Sequence, residues 1–468
     1  MKHTQCSVLI YVAALSLLAA CESQPPARSP EIPAHAVVGV SDAQLRPEFW
    51  IAREPGAKKV VLDSKAIAAQ NARLIQLDAS VYDLEALPTE LGAARVRSWI
   101  LELSRYPDED MFDIEGRKLG TPVFDALMKN IALDSVPSTQ TTRYGLVVKR
   151  ANLRAFPTNM SAFDSADDRD IDRFQESALF PGTPVVIAHA SADGNWWFVV
   201  SPLYAAWVEK GFVAEGPAKD VFAYTRKSPY LVVTGASVKT VYTPARPQVS
   251  ELQLDMSVRV PLLADWPQDR PVNGQHPYTA HVIELPERAE DGSLHFAQAL
   301  LPRTADTAGD YLPLSRANIL RQGFKFLGER YGWGHSYNAR DCSGFVSDVY
   351  RSFGVQLPRN TRDQAVSPAL NRITFTDADD HERRLAVLRN LEVGDLVYIP
   401  GHVMMVIGHE NGMPYVIHDT TGISYRDAAG QVNRVVLNGV SVTPLTPLLF
   451  SRKDPFVDHI ISILRVRP

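Results

Sequence analysis

The sequence predicts an α+β multidomain protein: a helical N-terminal segment, two small β-barrels, and a C-terminal mixed domain that holds the chemistry. Three observations carry this. Apolar residues recur at three- and four-residue intervals between Ser41 and Ser135. Short β-rich runs broken by turn residues follow as far as Pro313. Finally, the single cysteine outside the first 21 residues, Cys342, opens an amphipathic run. With 468 residues, 45% hydrophobic and 22% charged, the chain is globular and long enough for three or four domains. A formal net charge of -5 without a basic stripe argues against nucleic acid as a partner.

Residues 1–21 read as a signal peptide, with Lys2, an apolar run from Val8 to Leu18, and small residues before Cys21. The run is too short to span a membrane. Leu18-Ala19-Ala20-Cys21 resembles the bacterial lipobox, which implies that Cys21 is lipidated and becomes the mature N-terminus. Lipid chains contribute about 0.8 kcal/mol per buried CH2, so several chains on one residue hold a protein on a membrane. Glu22 follows the cysteine instead of Asp, which favours a periplasmic lipoprotein of the outer membrane. The alternative is an ordinary signal peptide cut after a small residue. Residues 22–40, polar and proline-bearing, read as a tether.

Within 41–135, KAIAAQNARLIQL and ALPTELGAARVRSWILELSRY predict helices of one N-terminal domain. Residues 140–218 predict strands in YGLVVKRANLRAFPT and TPVVIAHASADGNWWFVVSPLYAAWVEKGFVA, with a hairpin turn at Asp193-Gly194. Arg154 to Pro157 and Trp207-Val208 resemble two elements of bacterial SH3-like barrels. Residues 228–313 have similar texture and read as a second, more diverged SH3-like barrel. The chemistry falls in residues 314–468.

Cys6 leaves with the signal and Cys21 carries lipid, so the exported protein keeps Cys342 alone. Exported compartments favour disulfides, yet this cysteine has no partner. It is therefore either buried and inert or reactive for a purpose. Phe345, Val346, Val349, Tyr350 and Phe353 fall on one helical face, and Gly354 stops the helix. Asp341 is a good N-cap residue, which places Cys342 in the first turn. The dipole and the unpaired N–H groups there favour a thiolate.

A reactive thiol needs a base, and His402 and His418 are the candidates. Strands are expected over Asp395–Ile399, from His402 onward, and through PYVIHD. A two-residue loop at Asn411-Gly412 would put the two histidines on opposite faces of the sheet. A three-residue loop with Gly412 left-handed, or a bulge, would put them on the same face. His409 is expected at the surface, and His335, His381 and His459 have no supporting pattern. No C-x-x-C or H-E-x-x-H pair is present, so neither metal nor cofactor is expected.

These residues carry a family resemblance. Asp341-Cys342-Ser343-Gly344-Phe345-Val346, Gly394-Asp395-Leu396, Gly401-His402-Val403 and His418 resemble the motifs of NlpC-type cysteine peptidases, papain-like enzymes that cut cell-wall stem peptides. Tyr331-Gly332-Trp333-Gly334 and Leu357-Pro358-Arg359-Asn360-Thr361 with Gln364 match two further elements. The layout with two preceding barrels resembles a subgroup that cleaves γ-D-glutamyl-diamino acid bonds. The resemblance implies Cys342 as nucleophile, His402 as base and His418 as its orienting partner. It also implies that Asp341 and Ser343 help bind the free amine of an N-terminal L-Ala, that Tyr331 and Trp333 line the site, and that Thr361 contacts substrate. A barrel tyrosine closes one end in the subgroup, and Tyr204 is the candidate. A monomer acting on murein peptides, L-Ala-γ-D-Glu-diamino acid, is expected. Two departures are visible: His335 stands where a second glycine is usual, and Met404-Met405 where smaller or aromatic residues are usual. The other readings are a non-catalytic peptidoglycan-binding lipoprotein and a papain-like acyltransferase.

Overall fold

Local capping sets where the N-terminal helices begin. In the computed structural model, which describes residues 38–467 apart from 268, 428, 452 and 453, α1 (Pro47–Ile51) starts on proline. Asp63 caps α2 (Ser64–Leu77), accepting from Ala66 N at 2.8 Å. Helices α3 (Ala93–Leu103) and α4 (Thr121–Asn130) follow. The single helical domain expected over 41–135 is corrected here, because these helices share no core. Trp50, Ile67 and Leu74 pack into the C-terminal domain. Val96, Ile100, Phe124 and Leu127 pack with Phe198 and Trp207 of the first barrel. An apolar stripe shows that a helix has a partner, not which partner. The leader, Cys21 and most of the tether lie outside the described residues.

The first barrel is a seven-stranded antiparallel sheet running from Arg143–Val147 to Val213–Gly216. Arg154 faces Trp207 across the ladder, and its buried guanidinium pairs with Asp172 at 2.6 Å. Helix α5 (Ala218–Arg226) leads into residues 230–308, where three small sheets enclose their own core of Leu231, Val233, Leu254, Val260, Ile283 and Leu301.

In the C-terminal domain an antiparallel sheet runs in the order Asn371–Thr374, Ser462–Arg465, Leu396–Ile399, His402–Glu410, Met413–Arg426, Val432–Pro444. Helices α6 (Arg316–Phe324), α7 (Cys342–Arg351), α8 (Thr361–Val366) and α9 (His381–Leu388) surround it. Strand alternation divides two cores: Val403, Met405 and Ile407 face α6 and α7, while Met404 and Val406 face Leu388 of α9.

The register of the two histidine strands rests on a glycine other than Gly412. Asn411-Gly412 forms a two-residue loop with φ of 52° and 78°, between Glu410 and Met413. A bulge between Val406 and Gly408 then shifts the ladder, so that Met405 pairs with Ile417 and Met404 comes level with His418. Gly408 has φ of 144°, and a Cβ there would sit 2.9 Å from Trp50 Cε3. Thus α1 lies directly on the bulge that brings the histidines to one face.

Candidate active site

Helix α7 presents the thiol as its first residue. The Asp341 carboxylate caps the helix, accepting from Gly344 N at 2.7 Å. Cys342 is 5% exposed, with Sγ 3.5 Å from Thr361 Oγ1 and 4.0 Å from the Gly401 carbonyl oxygen. His402 follows Gly401 at the start of its strand. Its Nε2 lies 2.8 Å from His418 Nδ1, and His418 Nε2 lies 3.0 Å from Thr443 Oγ1. This relay fixes the His402 ring by one nitrogen and leaves Nδ1 for a reacting group.

Burial decides the protonation states. It pushes the Cys342 thiol up to about 12, with the Asp341 carboxylate adding to the effect. Burial also holds His402 down at about 4, and lowers His418 together with its neighbour His402. Burial thus opposes the thiolate that the helix N-terminus favours, and it pushes thiol and imidazole alike towards their neutral forms. Tyr331 is raised by burial and then by Cys342 and Asp341, so its phenol keeps its proton.

Asp341 does more than cap. Arg359 donates from Nη1 to Oδ1 at 3.2 Å and from Nη2 to Oδ2 at 2.7 Å, while Ser343 Oγ and Gly334 N also donate to the carboxylate. Arg359 continues to Ser343 Oγ at 2.9 Å and to Ser177 Oγ of the first barrel at 2.6 Å. Beside it, the Tyr204 hydroxyl donates to Glu176, another barrel residue. Burial raises the Glu176 carboxyl, and burial followed by Glu176 raises Tyr204. Asp341 thus accepts five donors, whereas among the described residues Glu176 accepts from Tyr204 alone and keeps open acceptor capacity.

Residues 328–440 match the NlpC/P60 family, and residues 160–209 match an SH3 domain of the SH3b1 type. The C-terminal domain is an NlpC/P60 domain. A gamma-D-glutamyl-L-lysine dipeptidyl-peptidase from Bacillus cereus (strain ATCC 10987 / NRS 248) is 27% identical over 220 residues, 43% of this chain and 56% of that protein. The chain therefore matches little more than half the length of that relative. An NlpC/P60 endopeptidase from Photobacterium damselae subsp. piscicida shares the fold over 83% of this chain and 87% of its own, with a TM-score of 0.65 at 16% identity.

In this NlpC/P60 domain, Tyr331 and Trp333 line the same cleft as His402, and Arg173 of the barrel lies over the Trp333 ring at 4.7 Å. Gln364 supports from behind, donating to Ser347 Oγ at 3.0 Å and accepting from Tyr398 at 3.0 Å. His335 is buried against the start of α7, where a Cβ on Gly344 would come within 2.5 Å of its Cε1. It fills the space the usual glycine leaves and stays out of the cleft that holds His402. His409, expected at the surface, is half-buried and reaches the Leu388 carbonyl at 3.2 Å. Among the described residues no group of three or more His, Cys, Asp or Glu is arranged to hold a metal ion. Sequence reasoning missed Glu176, which no motif marks, and gave Arg359 no role although it lies inside a quoted motif.

Proposed function

We propose that this NlpC/P60 peptidase uses Cys342 to hydrolyse the γ-D-glutamyl-diamino acid bond of murein peptides with a free N-terminal L-Ala, in turnover or recycling of wall peptides. His402 takes the thiol proton as sulfur attacks the γ-glutamyl carbonyl, so neither partner rests in a charged form. His418 and Thr443 hold the imidazole in place. The protonated Tyr331 phenol and the N–H at the start of α7 supply hydrogens to the developing oxyanion. His402 then protonates the leaving amine, and water releases the acyl-enzyme. The observation that carries the substrate assignment is the acidic cluster where Glu176 and Tyr204 of the barrel meet Asp341 and Arg359. The open acceptor capacity of Glu176 suits an ammonium. Asp341 is already fully bonded, so Glu176 supplies most of the attraction. Thr361 and Ser343 add hydroxyls beside the thiol. The Bacillus cereus relative's name points to the same bond type. We further propose a lipid anchor at Cys21 and a place on the periplasmic face of the outer membrane.

Mass spectrometry of L-Ala-γ-D-Glu-meso-diaminopimelate incubated with protein lacking residues 1–21 tests this. Wild type should release L-Ala-D-Glu, Cys342→Ala should release none, and the N-acetylated peptide should stay intact. Cleavage of the acetylated peptide at equal rate would remove the free-amine rule. Binding of sacculi without cleavage would favour a non-catalytic binder.

A further inference from the structure

The cleft has a second end with the opposite electrostatic character. Its volume is about 930 Å³, and its walls include Tyr331, Trp333, His402, Thr420, Ser424 and Arg434. Among the described residues no Asp or Glu lines it, and Arg434 is the one permanently charged side chain there. Arg434 is exposed, and its side chain has no hydrogen bond or ion pair among the described residues. Its strand neighbours Val432 and Val436 are 41% and 77% exposed, so no described residue covers this wall. An ordinary surface arginine tends to sit among acids, whereas this one stands between two exposed valines on a wall shared with Thr420, Thr421 and Ser424.

Position along the sheet limits what it can contact. Arg434 pairs with Ser424, four residues beyond Thr420 on the strand that carries His418. Four residues of strand span about 13 Å. Thr420 and Arg434 line one cleft with His402, so the guanidinium stands along the cleft from the catalytic histidines. The tip of a long side chain and a guanidinium stem divide the distance between them.

We infer that Arg434 is a specificity residue that receives the distal carboxylate of the leaving diamino acid, which makes the enzyme selective for diaminopimelate over lysine. This rests on the function proposed above. A guanidinium grips a carboxylate through two parallel hydrogen bonds. A lysine side chain would bring an ammonium without a carboxylate to the same guanidinium, and the Asp454 carboxylate beside the wall is already engaged by Ser451 Oγ at 2.5 Å. The substrate then lies along a charge gradient, with its free amine at Glu176 and its distal carboxylate at Arg434.

The test is kcat/KM for L-Ala-γ-D-Glu-meso-diaminopimelate and L-Ala-γ-D-Glu-L-Lys with wild type, Arg434→Gln and Arg434→Lys. Wild type should prefer the diaminopimelate peptide by about tenfold or more, the scale of one charge-assisted hydrogen bond. Arg434→Gln should lose that preference through the diaminopimelate peptide alone, and Arg434→Lys should keep part of it. Equal loss on both peptides would mean a contact to the shared α-carboxylate and would overturn the inference. No loss, or no wild-type preference, would also overturn it while leaving the proposed reaction standing. If wild type cuts neither peptide, the proposed reaction itself fails and the inference falls with it.

Discussion

The two β domains grip the same stretch of the NlpC/P60 domain, yet one of them also bonds to the arginine beside the nucleophile and the other does not. From the first barrel, Gln175 donates to the Gly334 carbonyl at 2.8 Å, and Arg150 donates to those of His335 and Ala339 at 2.9 and 2.7 Å. The same barrel bonds Ser177 to Arg359 and sets the Tyr204–Glu176 pair beside it. The second domain contributes Asp255, which accepts from Arg150 and from Arg340 behind the catalytic loop. Both contacts use a buried arginine to neutralise buried carboxylates. Arg359 does so within reach of the nucleophile, and Arg340 does so for structure, spreading over Asp255, Asp348 and Glu329. Similar chemistry therefore serves recognition in one place and assembly in the other.

The largest effect should come from removing the structural arginine. Arg340→Met removes the one guanidinium shared by Asp255 and Asp348, both 0% exposed, and leaves them Arg150 and Arg351 alone. Breaking a buried pair in this way costs about 3–5 kcal/mol. Chemical denaturation should show a loss of that size, with activity falling only as the folded fraction falls. A variant that stays fully stable would break the comparison, because the second domain would then not be an anchor.

A smaller and sharper effect is expected at the cleft. Tyr204→Phe removes the hydroxyl that donates to Glu176 and leaves the ring in place. Loss of one such bond costs about 1 kcal/mol in stability. For the free-amine peptide, kcat/KM should drop about tenfold, because the carboxylate that meets the ammonium loses its orienting partner. Steady-state rates compared with a thermal melt would separate the two effects. An unchanged rate with a lowered melting temperature would move the first barrel into the structural class.

Local signals made much of this legible. The α7 cap and its apolar face lie within a dozen consecutive residues, so Asp341 and Cys342 could be placed from sequence. The histidine pair was legible only as a choice between parities, since one extra residue anywhere in the strand reverses the outcome. Gly408 has no local feature that sets it above Gly412. Its partner Trp50 is far away in the chain, and the helices around Trp50 give no sign of which domain they join. Glu176 and Arg359 acquire meaning only from each other's surroundings. The thiol's ionisation was out of reach for a related reason: a helix N-terminus is a local signal, and burial is a property of the whole fold.

Two carboxyls, one in each β domain, allow the comparison to be made by pH alone. Burial raises both Glu176 and Asp255 above the ordinary carboxyl range. Glu176 must be ionised to attract an ammonium, so kcat/KM for the free-amine peptide should fall as pH drops through its raised value. That limb should lie above the one from His402, whose base form is lost only near about 4. Glu176→Gln should lower the rate and remove the upper limb, leaving the His402 limb. Asp255 touches no substrate, so its titration should appear in stability and not in rate. Its folded value is raised, so the stability it contributes is full below the unfolded carboxyl value and is lost as pH rises through the folded one. Melting curves of Asp255→Asn against wild type across the acid range would show this as a difference that changes with pH. If the Asp255 variant instead shifted the pH–rate profile, the second domain would be coupled to the substrate, and the division between recognition and assembly would not hold.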